Sequence, residues 1–253
     1  MCFELDSEPP VPVIAGASVS HRDLTLVSAD GTPFAAFLAE PDEANGIGIV
    51  ILPDIRGLYH FYEELALRFA ERGYTAIVFD FFGRLAGASK RDDDFPYKDL
   101  YPKIRAEHVQ DDLAASAAVI RGIEGATDKG LFTVGFCFGG RHSWLAAAGG
   151  HGIDGAIGFY GFPTERFDEQ GPTELAGTLA APILALQAGV DERITPEINA
   201  AFEQAMTAAG VTHELIVYDG APHSFFDRRQ EDFAEASEDA WQRVLAFIAQ
   251  YAR

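Results

Sequence analysis

The chain predicts an α/β fold: one doubly wound, mostly parallel sheet flanked by helices. Three observations predict it. Short, continuous apolar runs recur at 47–52, 75–79, 131–134, 155–160 and 183–187, as expected of strands buried on both faces. Stretches of helical period lie between several of them. A glycine-flanked turn joins the run at 131–134 directly to a further helix, and this alternation puts ligands at the carboxyl ends of the strands. At 253 residues with no linker-like stretch, the chain is long enough for one large core. Residues 1–20 read as an N-terminal arm and 21–253 as a single domain.

The elements follow in order. Residues 23–28 and 32–38, split by Asp30-Gly31, read as a hairpin. The first buried strand, 47–52, leads into the loop Pro53-Asp54-Ile55-Arg56-Gly57. Tyr62, Leu65, Ala66, Phe69 and Ala70 recur at helical spacing, and Gly73 supplies a stop. After the strand at 75–79 comes a charged, proline-containing excursion, 84–103. It is a candidate cap over the carboxyl end of the sheet, or a solvated loop. A helix is expected over about 105–120. Thr195 and Pro196 predict an N-cap and first helical residue, Ile198, Phe202, Met206 and Ala209 the buried face, and Gly210 the stop. A last strand at 212–218 precedes a terminal helix that buries Trp241, Val244, Leu245 and Ile248.

The chemistry concentrates at Gly135-Phe136-Cys137-Phe138-Gly139-Gly140. A strand turning sharply into a helix strains its apex residue and leaves room only for very small neighbours, hence glycines two positions either side of Cys137. The turn lifts the sulfur clear of the sheet near the positive end of the helix, where a thiolate is favoured. The alternative is that Cys137 is a small buried hydrophobe. Chain order supports the reactive reading: Asp191 follows the run at 183–187 and His223 the run at 212–218, the acid-then-histidine order such a nucleophile requires. Cys137 would attack an acyl carbon, His223 would take its proton and later activate water, and Asp191 would orient the imidazole. The backbone N–H groups of Phe138 and Ile55 are the oxyanion donors expected. His142 and His60 compete with His223, and Asp219 with Asp191, but none of these has the loop placement the turn chemistry needs.

Composition narrows the partners. The net charge of −20, with only four lysines, repels nucleic acid and anionic membranes, so neither is expected. No apolar run reaches the roughly 18 residues of a membrane span, and residues 1–10 carry no basic or apolar signal region. The two cysteines, Cys2 and Cys137, suit a reducing cytoplasm. No HExxH, C-x-x-C or histidine–carboxylate cluster calls for a metal, and no G-x-G-x-x-G calls for a nucleotide, so no cofactor is expected.

With these residues in view, the chain resembles the dienelactone hydrolase (carboxymethylenebutenolidase) family of the α/β-hydrolase fold, from about Ala35 to the C-terminus. The resemblance rests on Pro53-Asp54-Ile55-Arg56-Gly57, Asp80-Phe81-Phe82-Gly83-Arg84, the Cys137 turn, Gly189-Val190-Asp191 and His223-Ser224-Phe225. It implies hydrolysis of a cyclic enol ester through a thioester, with Cys137, Asp191 and His223 as the triad. It also implies that Arg84 receives a substrate carboxylate. Two positions depart from the family: Asp54 stands where dienelactone-cleaving members carry a glutamate that holds the resting thiol, and Asp227, followed by Arg228, stands where a second carboxylate-binding arginine is expected. Arg56 is a further candidate for substrate binding. Enol esters, activated lactones and thioesters suit a cysteine nucleophile, whereas peptides do not. Two alternatives stay open: a thioesterase of the same fold, and a non-catalytic homologue that keeps the pocket for a small ligand. The oligomeric state is not legible.

Overall fold

The computed structural model describes residues 7–92, 94–226 and 233–253. Its centre is an eight-stranded sheet in the order β1-β2-β4-β3-β5-β6-β7-β8. The strands are β1 (Val19–Val27), β2 (Pro33–Pro41), β3 (Ile47–Leu52), β4 (Thr75–Phe79), β5 (Gly130–Phe136), β6 (Gly155–Phe159), β7 (Ile183–Val190) and β8 (His213–Pro222). β1 and β2 form the antiparallel hairpin read from Asp30-Gly31, and β2 runs antiparallel to β4. From β4 to β8 every pairing is parallel.

The helices are α1 (His60–Ala70), α2 (Gly83–Ala86), α3 (Tyr97–Leu100), α4 (Ala106–Arg121), α5 (Phe138–Ala146), α6 (Pro196–Ala209) and α7 (Ala234–Tyr251). Alternate residues of β3 show how the sheet is covered on both faces. Ile49 and Ile51 pack with Leu65 and Phe69 of α1 and Trp241 and Val244 of α7. Val50 and Leu52 pack on the other face with Leu113 and Ala117 of α4. Trp144 of α5 and Phe202 and Met206 of α6 fill the second face further along, against Ile183. The central strands are therefore apolar at every position because neither face meets water.

Local signals account for most boundaries. In α6 the Thr195 hydroxyl accepts from the Ile198 N–H, Pro196 opens the helix, and Gly210 closes it in the left-handed region. Its buried face is narrower than the spacing predicts: Phe202 and Met206 are buried, Ile198 is half-buried and Ala209 is exposed. In α7, Phe247 joins Trp241, Val244 and Ile248 in the core, while Leu245 is only half-buried. β1 starts at Val19, within the stretch read as an arm, and Val11 is buried in the core on the α1 and α7 side. The excursion after β4 carries two single-turn helices, α2 and α3, and a 3-10 turn at Tyr101–Lys103. Among the described residues no helix is long and apolar enough to cross a membrane.

Candidate active site

The turn between β5 and α5 carries the strain the sequence implied. Cys137 stands at φ 54° and ψ −110°, and its N–H donates to the Phe159 carbonyl at 2.9 Å. Larger side chains cannot replace the flanking glycines. A Cβ on Gly135 would lie 2.0 Å from the Gly139 carbonyl oxygen, and one on Gly139 would lie 2.1 Å from that of Leu52. The Ser143 hydroxyl fastens α5 to the sheet, hydrogen-bonded to Thr133 Oγ1 at 2.8 Å and the Ile157 carbonyl at 2.7 Å.

Asp191 and His223 arrive on adjacent loops after β7 and β8. A register shift between Ala188 and Val190 ends the β7–β8 ladder just before Asp191. Asp191 Oδ2 lies 2.6 Å from His223 Nδ1, while Oδ1 accepts the N–H groups of Arg193 at 2.8 Å and Ile194 at 3.2 Å. Burial alone would raise the Asp191 carboxyl; His223 and the two backbone donors instead hold it below the ordinary carboxylate range. Burial also works against charge on His223, but the Cys137 sulfur and Asp191 outweigh it and push the imidazole up to about 10. His223 is thus hydrogen-bonded on one side to Asp191 and on the other to Cys137. The Tyr160 ring packs beside it at 4.9 Å.

The rival residues are separated by geometry. Asp191, and not Asp219, meets the histidine. His142 lines the cleft, but burial and the neighbouring Arg141 push it down to about 3, so it is neutral. His60 is exposed at the start of α1. Ile55 and Phe138 both line the cleft with Cys137 and His223. Among the described residues, the N–H groups of Ile55 and Phe138 make no hydrogen bond.

Three expected substrate-binding residues are placed elsewhere. Arg84 does not reach the cleft. Its guanidinium bonds both oxygens of the fully buried Asp112 at 2.9 Å, Asp30 at 2.7 Å and the Ser28 hydroxyl at 2.7 Å. It ties α2 to the β1–β2 turn and to α4, so its charge is already matched. Asp54 is buried and turns back on its own loop, with Oδ1 accepting the Arg56 N–H at 2.8 Å. The Arg56 side chain is itself buried, its guanidinium 5.9 Å from the Tyr59 ring, and neither residue lines the cleft. Cys2, Asp227 and Arg228 lie outside the described residues.

The arginines that do line the cleft are Arg141, Arg166 and Arg193. Arg141, on α5, is buried and donates to the carbonyls of Phe162, Thr164, Glu169 and Gln170 in the loop after β6. Burial pushes it down to about 10, still cationic at neutral pH. Arg166 lies between the rings of Phe162 and Phe167, at 5.6 and 4.8 Å. Phe167 meets Tyr101 of the excursion edge-on at 5.8 Å, and Glu169 accepts the first N–H of α4 and pairs with Arg105. The excursion and the loop after β6 therefore close together over the cleft. No sequence signal singled out these arginines. Among the described residues no cluster of histidine, cysteine and carboxylate side chains could hold a metal ion.

A strained cysteine turn, an acid and a histidine in that chain order, on a mostly parallel sheet wound on both faces, define a hydrolase of the α/β-hydrolase fold. Comparison with known proteins narrows the class. The model of the dienelactone hydrolase family matches residues 34–252. A carboxymethylenebutenolidase of Rhodococcus opacus is 30% identical, covering 99% of this chain and 97% of its own. A Yersinia pestis protein provisionally described as a carboxymethylenebutenolidase is 32% identical, over 91% of this chain and 89% of its own. A Klebsiella pneumoniae crystal structure, provisionally a dienelactone hydrolase, superposes with a TM-score of 0.80 at 29% identity, covering 92% of this chain and all of that one. The chain belongs to the dienelactone hydrolase family and is a carboxylic-ester hydrolase of that type.

Proposed function

We propose that this protein hydrolyses a small lactone or activated ester through an acyl-cysteine at Cys137. The observation that carries the reading is the continuous contact from Asp191 through His223 to Cys137, with His223 pushed up to about 10. We infer a resting thiolate–imidazolium pair, because Cys137 and Asp191 both contact the imidazole and both favour its charged form. The proton that the sequence reading left for His223 to collect during attack is then already on it.

The steps follow from that state. The thiolate sulfur attacks the acyl carbon, and the carbonyl oxygen becomes an oxyanion facing the N–H groups of Ile55 and Phe138. Collapse breaks the acyl–oxygen bond and leaves a thioester on Cys137; the departing alkoxide or enolate takes the proton from His223. Neutral His223 then draws a proton from water as it adds to the thioester, and collapse returns the thiolate, the imidazolium and a carboxylic acid, which releases its proton to solvent. Asp191 holds the imidazole in the tautomer and orientation both steps use.

The lining supports a compact, partly unsaturated acyl group. Phe138, Phe162, Phe167 and Tyr101 supply flat apolar surface, and Arg166 and Arg193 supply positive charge that offsets the acidic molecule locally. A lactone or enol ester with a carboxylate suits that lining. The test is a screen of lactones, aryl esters and thioesters with Cys137→Ala as control. Turnover of lactones or aryl esters that vanishes in the variant supports the reading. Preference for thioesters would favour a thioesterase, and binding without turnover would favour a non-catalytic homologue.

A further inference from the structure

Arg91 belongs to no part of the chemistry described above, yet it is one of the most completely engaged side chains in the molecule. Its guanidinium meets both oxygens of Asp80, at 2.7 and 3.3 Å, in an ion pair whose side chains are 4% and 0% exposed. It also donates to the carbonyls of Gly87 at 2.7 Å and Ala86 at 3.3 Å, and lies 4.6 Å from the centre of the Phe95 ring. All of these anchors except Asp80 are in the excursion between β4 and α4.

Asp80 directly follows β4 and reaches across to the loop after β3. Its Oδ1 accepts the Leu58 N–H at 3.1 Å, and its Oδ2 accepts the Phe82 N–H at 2.9 Å. Between Leu58 and Ile55 the backbone leaves no slack. Gly57 holds φ +80°, and a Cβ there would lie 2.3 Å from Asp80 Oδ1. The Arg56 N–H goes to the Asp54 carboxylate, that of Gly57 to the Asp54 carbonyl, and that of Asp54 to the Tyr62 hydroxyl. Every N–H from 54 to 58 is thus committed within the fold except that of Ile55, a residue that lines the cleft. Two carboxylates hold this short loop: Asp54 from within, and Asp80 from β4.

We propose that Arg91 is a positioning residue for the oxyanion loop, acting through Asp80 to fix the backbone that carries the Ile55 N–H. The proposal rests on the acyl-cysteine reading above. A buried carboxylate with two backbone N–H donors but no cation would be left with an uncompensated charge, and the loop it holds would move. A donor displaced by about an ångström loses most of its value to an oxyanion, on the order of a hundredfold in rate. The effect belongs to the transition state, because the ground-state carbonyl needs the donor far less.

The experiment uses Arg91→Met, Arg91→Gln and Arg91→Lys in the full chain, with Arg84→Met as a matched control. Arg84 makes an ion pair to the fully buried Asp112 away from the cleft, its own side chain 12% exposed. Steady-state kinetics with an aryl ester are compared with the rate at which iodoacetamide alkylates Cys137. Alkylation at a saturated carbon forms no oxyanion, so it reports the thiolate and not the loop. The expected result for Arg91→Met is a fall in kcat of about 10- to 100-fold, with KM within about twofold of wild type and unchanged alkylation. Arg91→Lys should recover part of the loss, and Arg84→Met should lower stability without lowering kcat. Arg91→Gln takes the same measurement if the Met variant does not fold. A folded variant with wild-type kcat, or one in which alkylation slows in step with ester turnover, overturns the proposal. Failure of the wild-type protein to turn over esters by way of Cys137 would instead overturn the reading beneath it.

Discussion

The two walls of the cleft are built in different ways. The wall that would do chemistry comes from strand ends: Cys137 after β5, Asp191 after β7 and His223 after β8, all in the parallel part of the sheet. The wall that would recognise substrate comes from segments with little regular structure: Tyr101 in the excursion, and Arg166 and Phe167 after β6. Strand ends are fixed by the sheet, so their geometry follows from chain order. Loop positions are fixed only when loops meet one another, as Phe167 meets Tyr101 and Glu169 meets the start of α4.

The largest effect expected is on the strand-end wall. Cys137→Ala should lower kcat/KM by at least about a thousandfold with an unchanged fold, because among the described residues lining the cleft there is no other cysteine and no serine or threonine. Residual activity near wild type, with circular dichroism intact, would break the assignment of chemistry to this wall.

A second expectation sharpens the same wall by pH. The folded-state pKa of His223 is raised, so the stability its imidazolium contributes is complete below about 6.5 and is lost as pH rises through about 10. The proton it gives the leaving group is lost over the same range. For an ester with an alkoxide leaving group, kcat/KM should fall as pH rises toward and past about 10. A nitrophenyl ester, whose leaving group needs no proton, should show no such fall. Identical profiles would mean that His223 is not the proton donor.

The recognition wall should respond in KM instead. Arg166→Ala is expected to raise KM for a carboxylated lactone by about tenfold, the lower end for one lost charge-assisted hydrogen bond, and to leave a neutral ester nearly unaffected. Arg84→Ala should do the reverse. It strips the partner from the buried Asp112, which would cost about 1–3 kcal/mol after allowance for the exposure of Asp30, or several degrees in Tm. Its KM should stay at the wild-type value. If Arg84→Ala discriminates against the carboxylated substrate and Arg166→Ala does not, the two walls have been assigned the wrong arginines.

That contrast also explains what was legible in the chain. The turn around Cys137 could be read because its backbone admits few residue types, and the clashes at Gly135 and Gly139 show the constraint directly. Strands β3 and β4 could be read to the residue because burial on both faces makes them uniformly apolar. β7 and β8 run beyond their apolar runs, to Val190 and Pro222, because backbone pairing continues there without apolar side chains. Arg84 was expected at the substrate because its position after β4 resembles a binding arginine; the partners it meets, Asp30, Ser28 and Asp112, come from distant parts of the chain. Arg166 left no signal at all, since its place beside the cleft depends on the loop after β6 folding against the excursion.

The central claim is that the thiol of Cys137 carries the acyl group, and His223→Ala tests it most directly. Mixed with a nitrophenyl ester and analysed by intact mass and peptide mapping, this variant should release a burst of nitrophenol without sustained turnover. Attack on so good a leaving group needs only some thiolate, whereas hydrolysis of the thioester needs the missing base. Asp191→Asn should show the same defect in milder form. The predicted result is one acyl group per chain, mapped to Cys137. Normal turnover in His223→Ala, or an adduct on any other residue, would contradict the account.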